Sequence, residues 1–295
     1  MRMAAVLLVL GLAGPDVIRT GDITVRGLTA GDFPRVQRLA TNVYTFEQID
    51  PTKRTVTVNN LIVTSESGVL VAEGQGTDAN VALLKAAVAR LTAQPIKYVV
   101  VGSEHGDHTG GDAAFGPDVT FLVHPKSKGA VERRLRGPIE TVADTRVLRL
   151  GTTEVDVLFL GRAHTGGDLE VYLPQPKILF MSEVFSNRIF PSMANGYPSE
   201  WIATLRKAER LAPAWFVPAH GFVDTAAILS EEERNYRAAI ERIVAEGTRL
   251  HDRGVDVETA AAGAVLEPYD AWTRAGNNAY QAIKRVYTEL DGGLQ

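Results

Sequence analysis

Apolar and polar residues alternate along this chain in patterns that predict β-strands and α-helices in turn. Asn59–Ser65 and Gly68–Ala72 are rich in β-branched residues and are separated by a short polar turn, which predicts a β-hairpin. Asp78–Leu91 has apolar residues at helical spacing, and Thr77 or Asp78 is a suitable N-cap. These two patterns together predict a fold that mixes sheet and helix.

The alternation of strands and helices continues to the carboxyl terminus. Ile96–Val101 is apolar except for Lys97, as expected of a strand buried on both faces. The further predicted strands are Val119–Val123, Val147–Leu150, Val155–Leu160, Leu169–Leu173, Ile178–Met181 and Trp215–Val217. The further predicted helices are Lys126–Leu135, Ser199–Leu211, one that begins at the capping box Ser230-x-x-Glu233, and a last one around Ile283–Leu290. No Pro-rich segment separates two domains, so we expect one α/β domain over residues 21–295, with helices outside two sheets and a helical extension from about residue 224.

Composition narrows the possible classes of function. Of the 295 residues, 45% are hydrophobic and 22% are charged, which is enough apolar material for a substantial core. The net charge of −4 provides no basic face for a phosphate backbone, so we expect no nucleic-acid partner. The chain has no cysteine, so any bound metal must take nitrogen and oxygen ligands.

The amino terminus has the pattern of a short export signal. Arg2 precedes an apolar run, Ala4–Ala13, which is too short for a membrane-spanning helix of about 20 residues. We therefore interpret residues 1–20 as a signal peptide or a disordered terminus, and we expect a periplasmic or secreted protein. The alternatives are a mis-assigned start codon or a buried first strand, in a protein that stays in the cytoplasm. No other stretch predicts stable insertion into a membrane.

Histidines and acidic residues cluster after the ends of predicted strands. His105-Gly106-Asp107-His108 places three possible metal ligands directly after a buried strand, which can hold them at fixed angles. Ala163-His164-Thr165 and Pro218-Ala219-His220-Gly221 also follow predicted strands. Imidazole and carboxylate ligands together suit zinc, and also iron or manganese. A lone histidine would more often be structural, but this combination predicts a metal centre.

These motifs resemble those of the metallo-β-lactamase superfamily, whose signature is His-x-His-x-Asp-His followed by a glycine-rich turn. Ser103–Gly111 corresponds to that signature, Ala163–Thr165 to the third motif and Pro218–Gly221 to the last. Leu179–Glu183 falls where many members carry an aspartate that bridges two metals. The order and spacing agree from about Val43 to Phe222. The resemblance implies a four-layer αββα sandwich with the metals at one edge of the sheets.

Two positions depart from the family pattern. Ser103 stands where the family has its first histidine, and neutral serine is a poor zinc ligand. Glu183 stands where the family has the bridging aspartate and is one methylene longer. Glu104 could replace the missing ligand only through a bulge or twist, because successive strand residues face opposite sides of a sheet.

The ligands that the resemblance implies form two sites of unequal strength. The full set is His105, Asp107, His108, His164, Glu183 and His220. One site keeps only His105 and His164, and Ser103, Glu104 or water would complete its coordination. The other keeps three good ligands and an open position, the usual layout of a catalytic zinc. We therefore predict one tightly bound Zn²⁺ at Asp107, His108 and His220, and a possible second, weaker ion.

A centre of this kind predicts a hydrolase. Imidazole and carboxylate ligands lower the pKa of metal-bound water from about 15.7 to about 7, and the resulting hydroxide can attack a carbonyl carbon. The expected substrate is a small ester, lactone, thioester or lactam. Asp107 would be catalytic, because it can orient the water or relay its proton. Two alternatives remain open: a non-catalytic family member whose centre has decayed, and an iron-dependent oxidoreductase on the same fold.

Other residues are candidates for supporting roles. Three residues could hydrogen-bond to the metal ligands and hold them in position without binding the metal: Ser103, Glu104 and Asp168. Asp168 could equally cap a turn. The pentapeptide His108–Asp112 recurs as His164–Asp168. The loop after Glu183 should shape specificity, because loops at the mouth of a site often do so. The loop residues predicted to contact substrate, or otherwise to cover the core, are Phe185, Arg188, Phe190 and Tyr197.

Overall fold

Twelve strands pair into two sheets in the computed structural model, which describes residues 17–294. The elements of the first half are β1 (Arg35–Ala40), β2 (Val43–Ile49), β3 (Thr57–Ser65), β4 (Gly68–Ala72), α1 (Asp78–Leu91), β5 (Ile96–Val101), α2 (Gly106–Thr109), β6 (Thr120–Val123), α3 (Pro125–Val131) and β7 (Ile139–Thr141). Those of the second half are β8 (Thr145–Leu150), β9 (Thr153–Leu158), β10 (Glu170–Leu173), β11 (Ile178–Phe180), α4 (Pro198–Arg210), β12 (Trp215–Val217), α5 (Ala226–Asp252), α6 (Val257–Gly263) and α7 (Ala275–Leu290).

The two sheets differ in strand direction. The first runs in the order β1 to β7, antiparallel as far as β4 and parallel from β4 to β7. β3 and β4 form the predicted hairpin, with Ser65 opposite Gly68. The second sheet runs in the order β12-β11-β10-β9-β8 and is antiparallel except for the pair β11 and β12. Parallel neighbours end at the same edge of a sheet, so the segments after β4 and β5 lie together, as do those after β11 and β12.

Apolar side chains from the two sheets meet at the centre of the molecule. One buried cluster joins Leu61 and Val100 of the first sheet to Val157 and Val171 of the second, and it continues into α4, α5 and α7. A second cluster fills the space between the other face of the first sheet and α1, which contributes Val81. The layers follow in the order helix, sheet, sheet, helix. The predicted αββα sandwich is confirmed.

Side-chain caps explain where two of the helices begin. The α1 helix begins as predicted, and the hydroxyl of Thr77 accepts a hydrogen bond from the main-chain N of Asn80 at 3.2 Å. The capping box predicted at Ser230 is wrong, because α5 begins one turn earlier. Its N-cap is Thr225, whose hydroxyl accepts a hydrogen bond from the main-chain N of Ile228 at 3.4 Å. The cap is therefore Thr225, and Ser230 lies within the helix.

The predicted export signal spans residues 1–20, of which residues 1–16 lie outside the described part of the chain. The export signal therefore stays a prediction. Across residues 17–294, no helix combines the length and the apolar composition needed to cross a bilayer. The helical carboxyl-terminal part packs onto the sandwich: Tyr236 of α5 and Ile283 of α7 both belong to the central buried cluster. This part of the chain therefore lies close enough to contribute to a site at the sheet edge.

We expect Glu233→Gln to make stability less dependent on pH. Burial, reinforced by the charge of Glu209, raises the pKa of Glu233 from 4.5 to about 8. Between these values the folded chain keeps a proton that the unfolded chain releases, so the unfolding free energy falls as pH rises. At about pH 8.5, urea unfolding should show the variant to be more stable by on the order of a few kcal/mol. Glu231→Gln, exposed on the same helix, should keep the wild-type slope, and the same slope in Glu233→Gln would contradict the prediction.

Candidate metal centre

The predicted ligands converge at one edge of the two sheets, because each follows a strand that ends there. His105, Asp107 and His108 follow β5, His164 follows β9, Glu183 follows β11, and His220 follows β12. The short helix α2 begins directly after His105, which lets three ligands of one motif point into the same space. Glu183 lies in a single turn of 3-10 helix, Ser182–Val184. The sequence prediction that these six side chains meet agrees with their positions.

The first group of donors, which we call the Asp107 cluster, comprises Asp107, His108, Glu183 and His220. The Nε2 atoms of His108 and His220 are 3.1 Å apart. Glu183 Oε1 lies 3.3 Å from His220 Nε2 and 3.6 Å from His108 Nε2. Asp107 Oδ2 lies 3.4 Å from His220 Nε2. Two imidazole nitrogens and two carboxylate oxygens therefore surround one point.

The second group, which we call the His105 cluster, comprises His105, His164 and Glu183. His105 Nδ1 and His164 Nε2 are 2.9 Å apart, and they lie 2.9 Å and 3.0 Å from Glu183 Oε2. The hydroxyl of Ser103 donates a hydrogen bond to the same oxygen at 2.6 Å. Glu183 thus turns one carboxylate oxygen to each cluster, and Ser103 holds the carboxylate instead of adding a donor.

Contacts at Nδ1 of His108 and His220 orient the Nε2 atom of each ring toward the centre of the Asp107 cluster. His220 Nδ1 lies 2.6 Å from the main-chain O of Thr57, and His108 Nδ1 lies 2.6 Å from Glu73 Oε2. With a proton on each Nδ1, the two Nε2 lone pairs face each other, and a shared proton or a metal cation between them would relieve their repulsion. Burial lowers the pKa of His108, but Glu73 and further carboxylates raise it well above its usual value. These surroundings favour a cation, and the donor set fits a metal ion.

The two acidic ligands are in the form that binds metal. Burial alone would raise the pKa of Glu183, but the imidazoles of His164 and His108 hold it well below its ordinary value. Burial also opposes ionisation of Asp107, and nearby imidazoles, His108 first among them, lower its pKa in the same way. Both groups are therefore carboxylates at neutral pH, and neither must lose a proton before it takes up a cation.

Glu73 supports the Asp107 cluster and was not singled out by the sequence. It directly follows β4, is buried, and has a left-handed backbone with φ of 67°. Its Oε1 accepts a hydrogen bond from the hydroxyl of Ser182, while its Oε2 faces His108. The available signal was an acidic residue directly after a fully buried strand. Its importance depends on the parallel pairing of β4 with β5, which places Glu73 behind the ligands.

A cavity of about 80 Å³ is lined by four of the six ligands: His105, His164, Glu183 and His220. The residues that line it besides the ligands include Lys53, Val56, Phe190, Tyr236, Arg274 and Asn278. The Nζ atom of Lys53 contacts Asp107 Oδ2 and lies 3.3 Å from Asp50 Oδ2. The sequence did not single out Lys53 either, because it lies in an ordinary polar turn between β2 and β3. The cavity therefore combines metal-ligand donors, an ammonium group and apolar walls.

Of the four loop residues predicted to contact substrate, the structure brings only Phe190 to this cavity. Phe185 is fully buried in the central core. Arg188 Nε forms an ion pair with Glu232 Oε2 at 2.6 Å. Tyr197 lies under a guanidinium group that is 4.1 Å from its ring centroid. Core packing and pairing with other side chains explain why these three do not line the cavity.

The proposed supporting residues have different roles. Asp168 caps its own turn: its Oδ2 accepts a hydrogen bond from Thr165 N at 2.7 Å, and its Oδ1 accepts one from Thr165 Oγ1 at 2.6 Å. This matches the turn-capping alternative and fixes the turn that carries His164. Burial raises the pKa of Asp168 to about 6. Glu104 is outside both donor clusters of the described residues, and its main-chain O accepts a hydrogen bond from the hydroxyl of Thr109 at 3.3 Å.

The sequence matches the metallo-beta-lactamase superfamily over residues 55–220, a range that contains every ligand of both clusters. The chain belongs to this superfamily. The match covers more than half of the 295 residues and ends at His220, before the helical carboxyl-terminal part. Superfamily membership and the two donor clusters therefore point to the same edge of the fold.

Solved metallo-beta-lactamase structures share the fold of the superfamily with this chain. One, from Pontibacter korlensis, has a TM-score of 0.60 and 23% sequence identity, covering 69% of this chain and 98% of that one. Another, from Erythrobacter litoralis, has a TM-score of 0.57 and 18% identity, covering 69% of this chain and 95% of that one. At these identities the likeness concerns the fold alone.

One curated relative carries a different name. The 2,4-dinitroanisole O-demethylase subunit alpha of Nocardioides sp. (strain JS1661) is 25% identical over 134 residues. The matched region is 43% of this chain and 41% of that protein, so the chain matches about two fifths of that relative's length. This relative is therefore named for a different reaction from the solved structures that share the fold.

Proposed function

We propose that this protein is a zinc-dependent hydrolase that attacks the carbonyl group of a small ester, lactone, thioester or lactam. The observation that carries the proposal is Glu183, whose two oxygens face two groups of imidazoles beside one cavity. Membership of the superfamily supports metal-dependent hydrolysis as the class of reaction. The tighter ion is assigned to the Asp107 cluster, which offers four donors, and the weaker one to the His105 cluster, which offers three.

The residues around the cavity have separable roles in such a reaction. The donors of the two clusters would hold a cation, which would lower the pKa of bound water from about 15.7 to about 7 and so make hydroxide available near neutral pH. In this proposal Asp107 Oδ2, which lies 3.4 Å from His220 Nε2, accepts a hydrogen bond from the attacking water and so orients it. The ammonium group of Lys53 can donate to the negative charge that develops on the carbonyl oxygen. Val56 and Phe190 provide apolar walls that limit bulk water.

A second candidate reaction is hydrolysis of an activated aryl methyl ether. The Nocardioides relative is named for O-demethylation of 2,4-dinitroanisole, and this name is the observation that favours it. Hydrolysis of such an ether would add water to the electron-poor ring carbon and release methanol, which would leave the phenol. The same oriented water would serve both reactions, so 2,4-dinitroanisole belongs in the substrate panel.

Chelation and Asp107→Ala are both expected to remove hydrolysis. Loss of the group that orients water should lower kcat by about 10²- to 10⁴-fold. EDTA should reduce the wild-type rate to background, and added Zn²⁺ should restore it. The measurement is the initial rate with phenyl acetate, γ-butyrolactone, a thioester, a lactam and 2,4-dinitroanisole. Asp118→Ala removes an exposed carboxylate before β6 and should keep the wild-type rate.

The same experiment distinguishes the alternative functions. If zinc-loaded protein turns over none of these substrates, the hydrolase proposal fails and a non-catalytic metal protein is favoured. If the purified protein retains iron and consumes oxygen, an oxidoreductase is favoured. A rate that survives both chelation and Asp107→Ala would show that hydrolysis occurs elsewhere on the protein.

A further inference from the structure

Arg274 is a cationic residue of the cavity whose charge is not committed to another group. It lines the cavity together with four of the six ligands, and its exposed side chain forms no ion pair or hydrogen bond within residues 17–294. The other cation of the cavity, Lys53, is engaged by the carboxylates of Asp50 and Asp107. An unpaired guanidinium beside a proposed catalytic centre is therefore available to an anion that enters the cavity.

The position of Arg274 is fixed relative to the metal ligands. Ile189 and Thr273 form a parallel β-bridge, and the main-chain N of Phe190 donates a hydrogen bond to Thr273 O at 2.9 Å. The side-chain amide of Asn278 donates a hydrogen bond to Phe190 O at 3.0 Å. The loop that contains Ile189 and Phe190 follows directly from the 3-10 helix that carries the shared carboxylate. Arg274 is thus tied through main-chain contacts to the donor clusters.

The local backbone does not account for an arginine at this position. Arg274 is the N-cap residue of α7, with φ of 64° and ψ of 18°, a left-handed conformation that glycine adopts with less strain. Its side chain makes no capping hydrogen bond to the helix. The guanidinium is therefore required neither by the turn nor by the start of the helix.

We propose that Arg274 binds a carboxylate of the substrate while the reacting carbonyl lies at the donor clusters. This proposal rests on the proposed function and narrows it to substrates that carry a carboxylate in addition to the ester, lactone, thioester or lactam bond. A guanidinium presents parallel N–H groups that match the two oxygens of a planar carboxylate. This specificity residue directly precedes α7 and lies beyond residue 220, outside the range that matches the superfamily.

A pair of esters that differ in one charge tests the proposal. Phenyl acetate is uncharged, whereas monophenyl succinate has the same leaving group and a free carboxylate. Arg274→Ala should raise KM for monophenyl succinate by about 10- to 100-fold while changing kcat, and both constants for phenyl acetate, by less than about twofold. Arg274→Lys should recover part of the loss. Arg210→Ala, which removes an exposed arginine at the end of α4, should change neither ester. Equal effects of Arg274→Ala on both esters would overturn the proposal.

Calorimetry separates this proposal from failure of the hydrolase proposal. Succinate and its uncharged diamide are titrated into zinc-loaded wild-type, Arg274→Ala and Arg210→Ala protein. Weaker binding of succinate to Arg274→Ala alone, with the diamide unaffected, supports the anion site even if neither ester is hydrolysed. Equal affinity of all three proteins for succinate overturns the site, whatever the esters show.

Discussion

Replacing Glu183 with glutamine is expected to remove metal from both donor clusters and to lower hydrolysis by at least about 10³-fold. Glu183 is the only residue shared by the two clusters of described residues, with Oε2 at 2.9 Å and 3.0 Å from one pair of imidazoles and Oε1 at 3.3 Å and 3.6 Å from the other. An amide carries no charge, and its NH₂ end must face one of the two pairs. One cluster therefore loses a donor atom, and both lose the negative charge that draws a cation.

Metal content and rate are measured together to test this prediction. Elemental analysis after dialysis should show less than the wild-type amount of metal in Glu183→Gln. Glu170→Gln is the matched control, because that buried carboxyl belongs to neither donor cluster of the described residues and burial raises its pKa well above its ordinary value. The control should retain wild-type metal and rate. A Glu183→Gln protein with full metal and a near wild-type rate would contradict the bridging role.

The two departures from the family pattern are in direct contact. Considered separately in the sequence, Ser103 is a lost ligand and Glu183 is a lengthened one. In the structure the hydroxyl of Ser103 donates a hydrogen bond to Glu183 Oε2 at 2.6 Å. A small residue at one position leaves space beside the longer carboxylate at the other, and the hydrogen bond holds that carboxylate between the clusters. A motif comparison scores each position alone, so it does not detect this pairing.

The metal ligands could be predicted because their signals are local. His105, Asp107 and His108 lie within a span of four residues that follows an apolar strand, and the strand edge then fixes where they meet. Lys53 and Arg274 carry no such signal. They lie in an ordinary turn and before a helix, and only the folded chain brings them to the cavity. Residues whose role depends on pairing between distant segments need the tertiary structure.

The same five-residue sequence adopts two different backbone conformations in this chain. The pentapeptide that begins at His108 starts within α2, whereas the copy that begins at His164 forms a turn. Asp168 closes its turn through two hydrogen bonds from Thr165, while Asp112 is buried and burial raises its pKa well above its ordinary value. The histidine of each copy reaches a different donor cluster. The repeat therefore indicated two ligand-bearing loops but not their conformations.

His220→Ala and His164→Ala are expected to have unequal effects on metal binding. His220 belongs to the four-donor Asp107 cluster, and its Nδ1 is held by the main-chain O of Thr57 at 2.6 Å, so its Nε2 is fixed toward the other ligands. His164 belongs to the three-donor cluster, where Ser103 adds no nitrogen. Removing His220 should weaken the tighter Zn²⁺ by about 100-fold or more. Removing His164 should leave that ion within about threefold of wild type and affect only the weaker one.

Competition with a chromophoric chelator measures both affinities in each protein. His251→Ala is the control, because that histidine lies at the end of α5 and contacts Asp291 at 3.1 Å, away from the cavity. It should keep wild-type binding. Two wild-type ions of equal affinity, or loss of the tighter ion in His164→Ala, would contradict the unequal sites. Either result would mean that the carboxylate charge of Glu183 dominates metal binding at both clusters. The number of donors in each cluster would then no longer decide its affinity for Zn²⁺.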